Sequence, residues 1–374
     1  MERHTLVASS VAKVLVTGAS GYIGSHVVQQ LLAEGHMVRG TVRSLKNVES
    51  YQHLNSVCPE ALSNLELVEA ELFKEETWLP ATEGMDYVIH TACPYPSSPP
   101  EGAAGEELVK TAVEGALNVL NACVKVTSVR RVVLTSCATA VHWGTTSTDK
   151  MFTEEDWTDL TKADFNCKAK SLAEKAAWDF IKNIPDNREL ELAVINPSVT
   201  LGPTLHHTPG TSTELLQKLL DRLIPGVPKM NFPIVDVRDV AQAHVRAMTS
   251  PNAAGHRHIV HCGNMWMSEI ANLLHAVLKP QGYNIPTTVA PNLVLKMVGA
   301  VDASVRIILP YLGVVHKYTN NRMRQDLGIE PRNVRDTIID MAHALIQNGF
   351  VHKTPSYAGP GGEAERDSYL NMKL

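Results

Sequence analysis

The six cysteines include no CxxC pair and no metal-ligand spacing. This argues against both a disulfide framework and a structural metal, and fits reduced thiols in a cytoplasmic setting. Strong charge of one sign is also missing. The 34 Lys and Arg against 39 Asp and Glu leave a net charge of −5, so neither nucleic acid nor an anionic membrane surface is expected as a partner. The first residues, MERHTLVASSVAK, lack the apolar core of a secretory signal. The most apolar later stretch, 293–315, is broken by Lys296, Asp302 and Arg306 and does not read as a membrane span. No internal repeat is present.

What is there begins with KVLVTGASGYIG at 13–24. Val14, Leu15 and Val16 form the short apolar run of a buried parallel strand. Glycines follow at 18, 21 and 24, and Ile23, Val27 and Leu31 then recur at helical spacing. Strand, glycine turn and helix in direct succession aim backbone N–H groups and a helix N-terminus at one point, which suits a pyrophosphate. In such a turn Gly18 permits the bend, Gly21 close approach of the phosphates, and Gly24 close packing of helix on strand. Arg43 stands about 20 residues further on, where NAD-binding folds carry an acidic residue for the ribose. A guanidinium there, with Lys46 nearby, favours the 2′-phosphate of NADP.

Further strands are expected at 36–42, 65–68, 87–92, 131–135 and 190–196, with a long helix over 106–125. A stiff proline-rich loop is expected over 94–100. Strands alternating with helices imply an α/β fold built on a doubly wound parallel sheet, with ligands at the strands' C-terminal ends. Past Gly202-Pro203 the alternation fails, and a smaller interleaved C-terminal substrate lobe is expected. The division is 11–203 for the dinucleotide-binding domain, with Phe232–Val240 and His256–Cys262 expected to return to the sheet as segments within 231–262. Residues 204–230 and 263–352 make the lobe, and 353–374 a flexible tail.

These stretches, with TVR at 41–43, EGALNVLNAC at 114–123, RRVVLTSCA at 130–138, KSLAEKAAWDF at 170–180, INPSVTLGP at 195–203 and VDVRDVAQAH at 235–244, carry a family resemblance. The chain resembles the extended short-chain dehydrogenase/reductases, in the group of dihydroflavonol, anthocyanidin, cinnamoyl-CoA and yeast-type methylglyoxal reductases. The resemblance implies NADP(H) as cofactor. It places Gly18, Ser20, Gly21, Tyr22, Ile23 and Gly24 on the pyrophosphate, and Arg43 and Lys46 on the 2′-phosphate. Glu71 and Leu72 would flank the adenine, Thr91, Ala92 and Cys93 would lie along the cofactor, and Pro197, Ser198 and Val199 would approach the nicotinamide.

In that family a Ser and the Tyr and Lys of a YxxxK motif perform the chemistry. The Tyr gives a proton to the carbonyl oxygen, the Lys holds the nicotinamide ribose, and the Ser binds the substrate oxygen. Here Lys170 matches the Lys, Asn166 stands for the Tyr and Cys137 for the Ser. An amide donates hydrogen bonds but does not give up a proton as a phenol does. Ser136 faces the other way, because adjacent strand residues alternate. No tyrosine lies between Tyr95 and Tyr283, so no slip along the helix restores the motif. His142, where dihydroflavonol reductases have a substrate-contacting Asn, is the candidate replacement acid. Lys170 has a second reading, an i,i+4 surface pair with Glu174.

Two functions follow. One is an NADP(H)-dependent oxidoreductase acting on a carbonyl or secondary alcohol of a small molecule. The other is a non-catalytic NADP(H)-binding pseudoenzyme, a sensor or scaffold.

Overall fold

The computed structural model describes residues 11–94, 96, 100–144, 149–206 and 210–362. Among the described residues twelve strands are formed: β1 (Lys13–Thr17), β2 (Met37–Val42), β3 (Leu65–Glu69), β4 (Tyr87–His90), β5 (Arg131–Thr135), β6 (Met151–Phe152), β7 (Glu191–Pro197), β8 (Val199–Leu201), β9 (Asn231–Asp236), β10 (Arg257–Val260), β11 (Gly263–Trp266) and β12 (Lys317–Tyr318). Seven of them make the central sheet, in the order β10-β7-β5-β4-β1-β2-β3, and every pairing in it is parallel.

The helices are α1 (Tyr22–Ala33), α2 (Trp78–Thr82), α3 (Gly102–Lys125), α4 (Thr139–His142), α5 (Phe165–Lys182), α6 (Thr211–Leu220), α7 (Val237–Thr249), α8 (Met267–Leu278), α9 (Asn292–Gly299), α10 (Ala303–Ile308), α11 (Asn321–Gln325) and α12 (Val334–Gln347). None among the described residues is long and apolar enough to cross a membrane.

The central strands are apolar on both faces because both are covered. Val14 and Val16 of β1 and Val133 of β5 pack with Val27, Val28 and Leu31 of α1 and with Val240 and Ala243 of α7. The alternating residues Leu15, Val132 and Leu134 pack on the other side with Val119 and Leu120 of α3 and Ala177 of α5. Burying a side chain of this size contributes about 1.5–3 kcal/mol before chain entropy is counted.

The second lobe has its own core, in which Leu216, Leu219, Ile234, Ile270, Leu274, Ile338 and Leu345 meet. Of the two segments expected to return to the central sheet, Arg257–Val260 does so, as its edge strand beside β7. Phe232–Val240 does not, and that expectation is corrected. Asn231–Asp236 becomes the middle of a separate three-stranded sheet, β11-β9-β8. The Asp236 side chain then accepts from Arg238 N at 2.8 Å and starts α7, as an N-cap carboxylate does. In the segment expected as a tail, Tyr357 Oη is 2.9 Å from His343 Nδ1 and Thr354 Oγ1 donates to Gln281 O at 2.5 Å. Residues 363–374 lie outside the described residues, as do 1–10 and most of the 94–100 loop.

Candidate active site

The parallel register puts the C-terminal ends of the strands level with one another. Thr17 is opposite His90, His90 opposite Leu134, and Thr135 opposite Ile195. Gly18, Arg43, Thr91, Cys137 and Pro197 therefore leave the same edge of the sheet. The chain order reverses between β1 and β4, the point where open sheets of this kind hold ligands.

Gly18 has φ +65°, and a Cβ on it would stand 3.0 Å from Ala92 Cα, so the turn needs glycine there. A Cβ on Gly24 would collide with Gly18 O. Gly18 N and Ala19 N are tied to Thr41, at 3.1 Å each. Past the turn, α1 has Gly21 as N-cap, no side chain capping it among the described residues and no acidic residue in its first turn. Its leading N–H groups, those of Tyr22, Ile23 and Gly24, are thus open to an anion. Ser20 is half-buried in the turn. The Tyr22 side chain points elsewhere: its hydroxyl donates to Gly202 O at 2.8 Å and links the glycine turn to the loop after β8.

Arg43 and Lys46 are exposed in the loop after β2, and neither forms an ion pair among the described residues. Glu71 pairs with Lys74 at 2.6 Å. Leu72 packs over Gly115, and its carbonyl accepts from Asn118 Nδ2 at 2.8 Å. Thr91 Oγ1 donates to Thr17 O at 2.6 Å, and Ala92 N to Thr17 Oγ1 at 3.1 Å. Cys93 follows, half-buried. Ser198 N donates to Val260 O at 3.0 Å, and Ser198 Oγ lies 3.3 Å from His261 Nδ1, with Pro197 and Val199 on either side.

The corner expected to be catalytic lies where the end of β5 meets the first turns of α5. Asp164 caps α5, accepting from Cys167 N at 2.8 Å. Asn166, one turn before Lys170, is buried. Its Nδ2 donates to Pro96 O at 3.3 Å, while Oδ1 has no partner among the described residues. Lys170 Nζ donates to Thr135 O at 3.3 Å. Its ammonium lies near His90 and His244, adding to the burial that already lowers both imidazoles, to about 3 and about 4. The reading of Lys170 as a surface partner of Glu174 is corrected: Glu174 is fully buried and paired with Arg257 at 2.5 Å. Ser136 also turns to Glu174, donating at 2.5 Å. Cys137 is half-buried and free, and close enough to Cys167 to raise that buried thiol's pKa further.

His142 sits in α4 with Nδ1 2.8 Å from Ala138 O. Burial, with help from neighbouring His316, pushes its pKa down to about 3. Burial therefore favours the neutral imidazole over the protonated form that an acid at this position would use. Two further partners were not legible in the motifs. Tyr318 of β12 places its hydroxyl 2.6 Å from His142 Nδ1, and the His261 ring lies tilted against the Tyr318 ring with centroids 5.3 Å apart.

The glycine turn, the open N-terminus of α1 and the reversal of strand order define a doubly wound fold of the dinucleotide-binding kind. Residues 14–263 match the NAD dependent epimerase/dehydratase family, and the chain belongs to that family. It is 32% identical over 351 residues to cinnamoyl-CoA reductase 1 of Arabidopsis thaliana, covering 92% of each protein. To anthocyanidin reductase of the same plant it is 31% identical over 289 residues, covering 72% of this chain and 82% of that protein. Among solved structures it is similar to the yeast methylglyoxal/isovaleraldehyde reductase Gre2 complexed with NADPH. There the TM-score is 0.75 and the identity 27%, over 90% of this chain and 99% of the other. These relatives lie in the reductase group that the sequence motifs resemble.

Proposed function

We propose that this protein is an NADP(H)-dependent oxidoreductase that acts on a carbonyl, of an aldehyde or a ketone, or on a secondary alcohol of a small molecule. Asn166 would occupy the family's tyrosine position and Cys137 its serine position. One observation carries the cofactor choice: the glycine turn before an uncapped helix N-terminus is tied to Thr41, and the loop that follows holds Arg43 and Lys46, which have no ion-pair partner among the described residues. Such an arrangement matches a pyrophosphate followed by a 2′-phosphate.

Gly18, Gly21 and the first turn of α1 would hold the diphosphate, Leu72 the adenine, and Lys170 the nicotinamide ribose. Bound NADPH supplies a hydride. The names of the relatives, reductases of cinnamoyl-CoA, methylglyoxal and isovaleraldehyde, support a carbonyl substrate. A reducing, cytoplasmic setting suits the six free thiols.

Asn166 supports a second reading, a non-catalytic NADP(H) binder, because its amide bonds to Pro96 O and offers no acid. Following NADPH at 340 nm with isovaleraldehyde, cinnamaldehyde and acetophenone separates the two. Consumption supports the oxidoreductase. Saturable NADPH binding with no consumption supports the binder.

A further inference from the structure

A buried phenol stands beside the catalytic corner although none lies near it in sequence. β12 pairs in parallel with β6, Tyr318 opposite Phe152, and this carries Tyr318 from the far end of the chain to α4. Its ring packs with Ala138, Val141, Phe152 and Ile259. Ala138 is the residue after Cys137, and His261 connects the same ring to Ser198 at the expected nicotinamide end. Cys137 and Cys167 both lie close enough to oppose the phenol's ionisation, adding to the burial that already raises its pKa well above 10.

The hydrogen bonds around His142 determine what the phenol can do. His142 Nδ1 is 2.8 Å from Ala138 O and 2.6 Å from Tyr318 Oη. A carbonyl oxygen only accepts, so the tautomer with hydrogen on Nδ1 serves Ala138 O, which also accepts from Val141 N at 2.9 Å. In that tautomer Nδ1–H is shared between Ala138 O and the Tyr318 oxygen. The phenolic hydrogen of that tautomer is turned away from His142 and can meet the oxygen of a bound substrate.

We propose that Tyr318 donates the proton to the substrate oxygen in place of a phenol at position 166, with His142 as its positioning partner. This rests on the oxidoreductase reading above. As hydride reaches the carbonyl carbon, the C=O π pair moves to oxygen, the Tyr318 O–H bond breaks and the alcohol O–H forms. The phenolate keeps the hydrogen bond from His142 Nδ1–H, which strengthens when its acceptor is charged. Solvent returns one proton as product leaves. The net change is one hydride and one solvent proton added to the carbonyl. An alkoxide is a stronger base than an ordinary phenolate, which favours the transfer.

Tyr318→Phe keeps the buried ring and removes only the hydroxyl. NADPH affinity, read by fluorescence titration, should stay within twofold of wild type. Turnover of the carbonyl that wild type reduces best in the isovaleraldehyde, cinnamaldehyde and acetophenone panel should fall by about 10²–10⁴.

A second readout does not depend on turnover. In protein labelled with ¹³Cζ-tyrosine, the signal missing from Tyr318→Phe is that of Tyr318. Adding the same carbonyl with NADP⁺ should shift this signal in wild type. Equal turnover in the two forms, or an unmoved signal, overturns the assignment and leaves the oxidoreductase reading intact. Wild type that binds NADPH and reduces nothing in the panel overturns that reading and the assignment together.

Discussion

Glu174 Oε1 and Arg257 Nε meet at 2.5 Å, and both side chains are buried. The carboxylate also accepts from Ser136 and from Asn196 Nδ2 at 2.9 Å. The guanidinium donates to Glu154 O and Asp156 O and lies 3.8 Å over the Trp157 ring. One ion pair thus joins α5, one turn past Lys170, to the end of β5, to β7 and to the edge strand β10. Removing one partner of such a pair leaves a buried charge uncompensated, at about 3–5 kcal/mol. Glu174→Ala should lose about that much in chemical denaturation, and Glu174→Gln less.

Gly24→Ala tests the glycine turn. Its methyl would collide with Gly18 O, so α1 must move off the strand and carry its N–H groups with it. Overpacking of this kind costs about 1–3 kcal/mol. NADPH affinity should fall by about tenfold or more, read by fluorescence titration, with a matching drop in Tm.

Arg43→Gln should change cofactor choice more than catalysis. A hydrogen bond to a charged group is worth about 1.5–3 kcal/mol, roughly 10- to 100-fold. The preference for NADPH over NADH should shrink by that factor, and kcat at saturating NADPH should hold. Equal loss for both dinucleotides would remove Arg43 from the 2′-phosphate.

Acid should destabilise the fold before most carboxylates titrate. Burial holds His26 at about 4, His90 at about 3 and His244 at about 4, all below the ordinary histidine value near 6.5. The unfolded chain therefore binds more protons below that value. The stability these residues contribute is complete above about pH 6.5 and is lost as the pH falls towards 4. Each group costs up to about 1.4 kcal/mol per pH unit in that window. Thermal melts between pH 7.5 and 4.5 should show Tm dropping below pH 6.5. His244→Gln, which keeps a polar group near Thr135, should flatten the drop.

The central sheet was legible because buried parallel strands are continuous apolar runs, and Arg131–Thr135 is observed over the span its pattern marks. The glycine turn was legible because its requirements are local. Pairing between distant segments was not. Phe232–Val240 has the composition of a central strand, but its partners, Val199–Leu201 and Gly263–Trp266, come from the lobe. Glu174 has the spacing of a surface partner for Lys170, and only Arg257, far along the chain, makes it a buried group. Tyr318 sits in a two-residue strand with no motif around it. Its place beside His142 comes from tertiary packing alone.

The most direct test of the account follows the hydride itself. NADPH deuterated at C4 of the dihydronicotinamide, on either face in separate reactions, is incubated with the protein and isovaleraldehyde, cinnamaldehyde or acetophenone, and the alcohol is analysed by mass spectrometry. The account predicts an alcohol with one deuterium on the former carbonyl carbon, from one of the two faces. Saturable NADPH binding with no labelled alcohol from any of the three would contradict it.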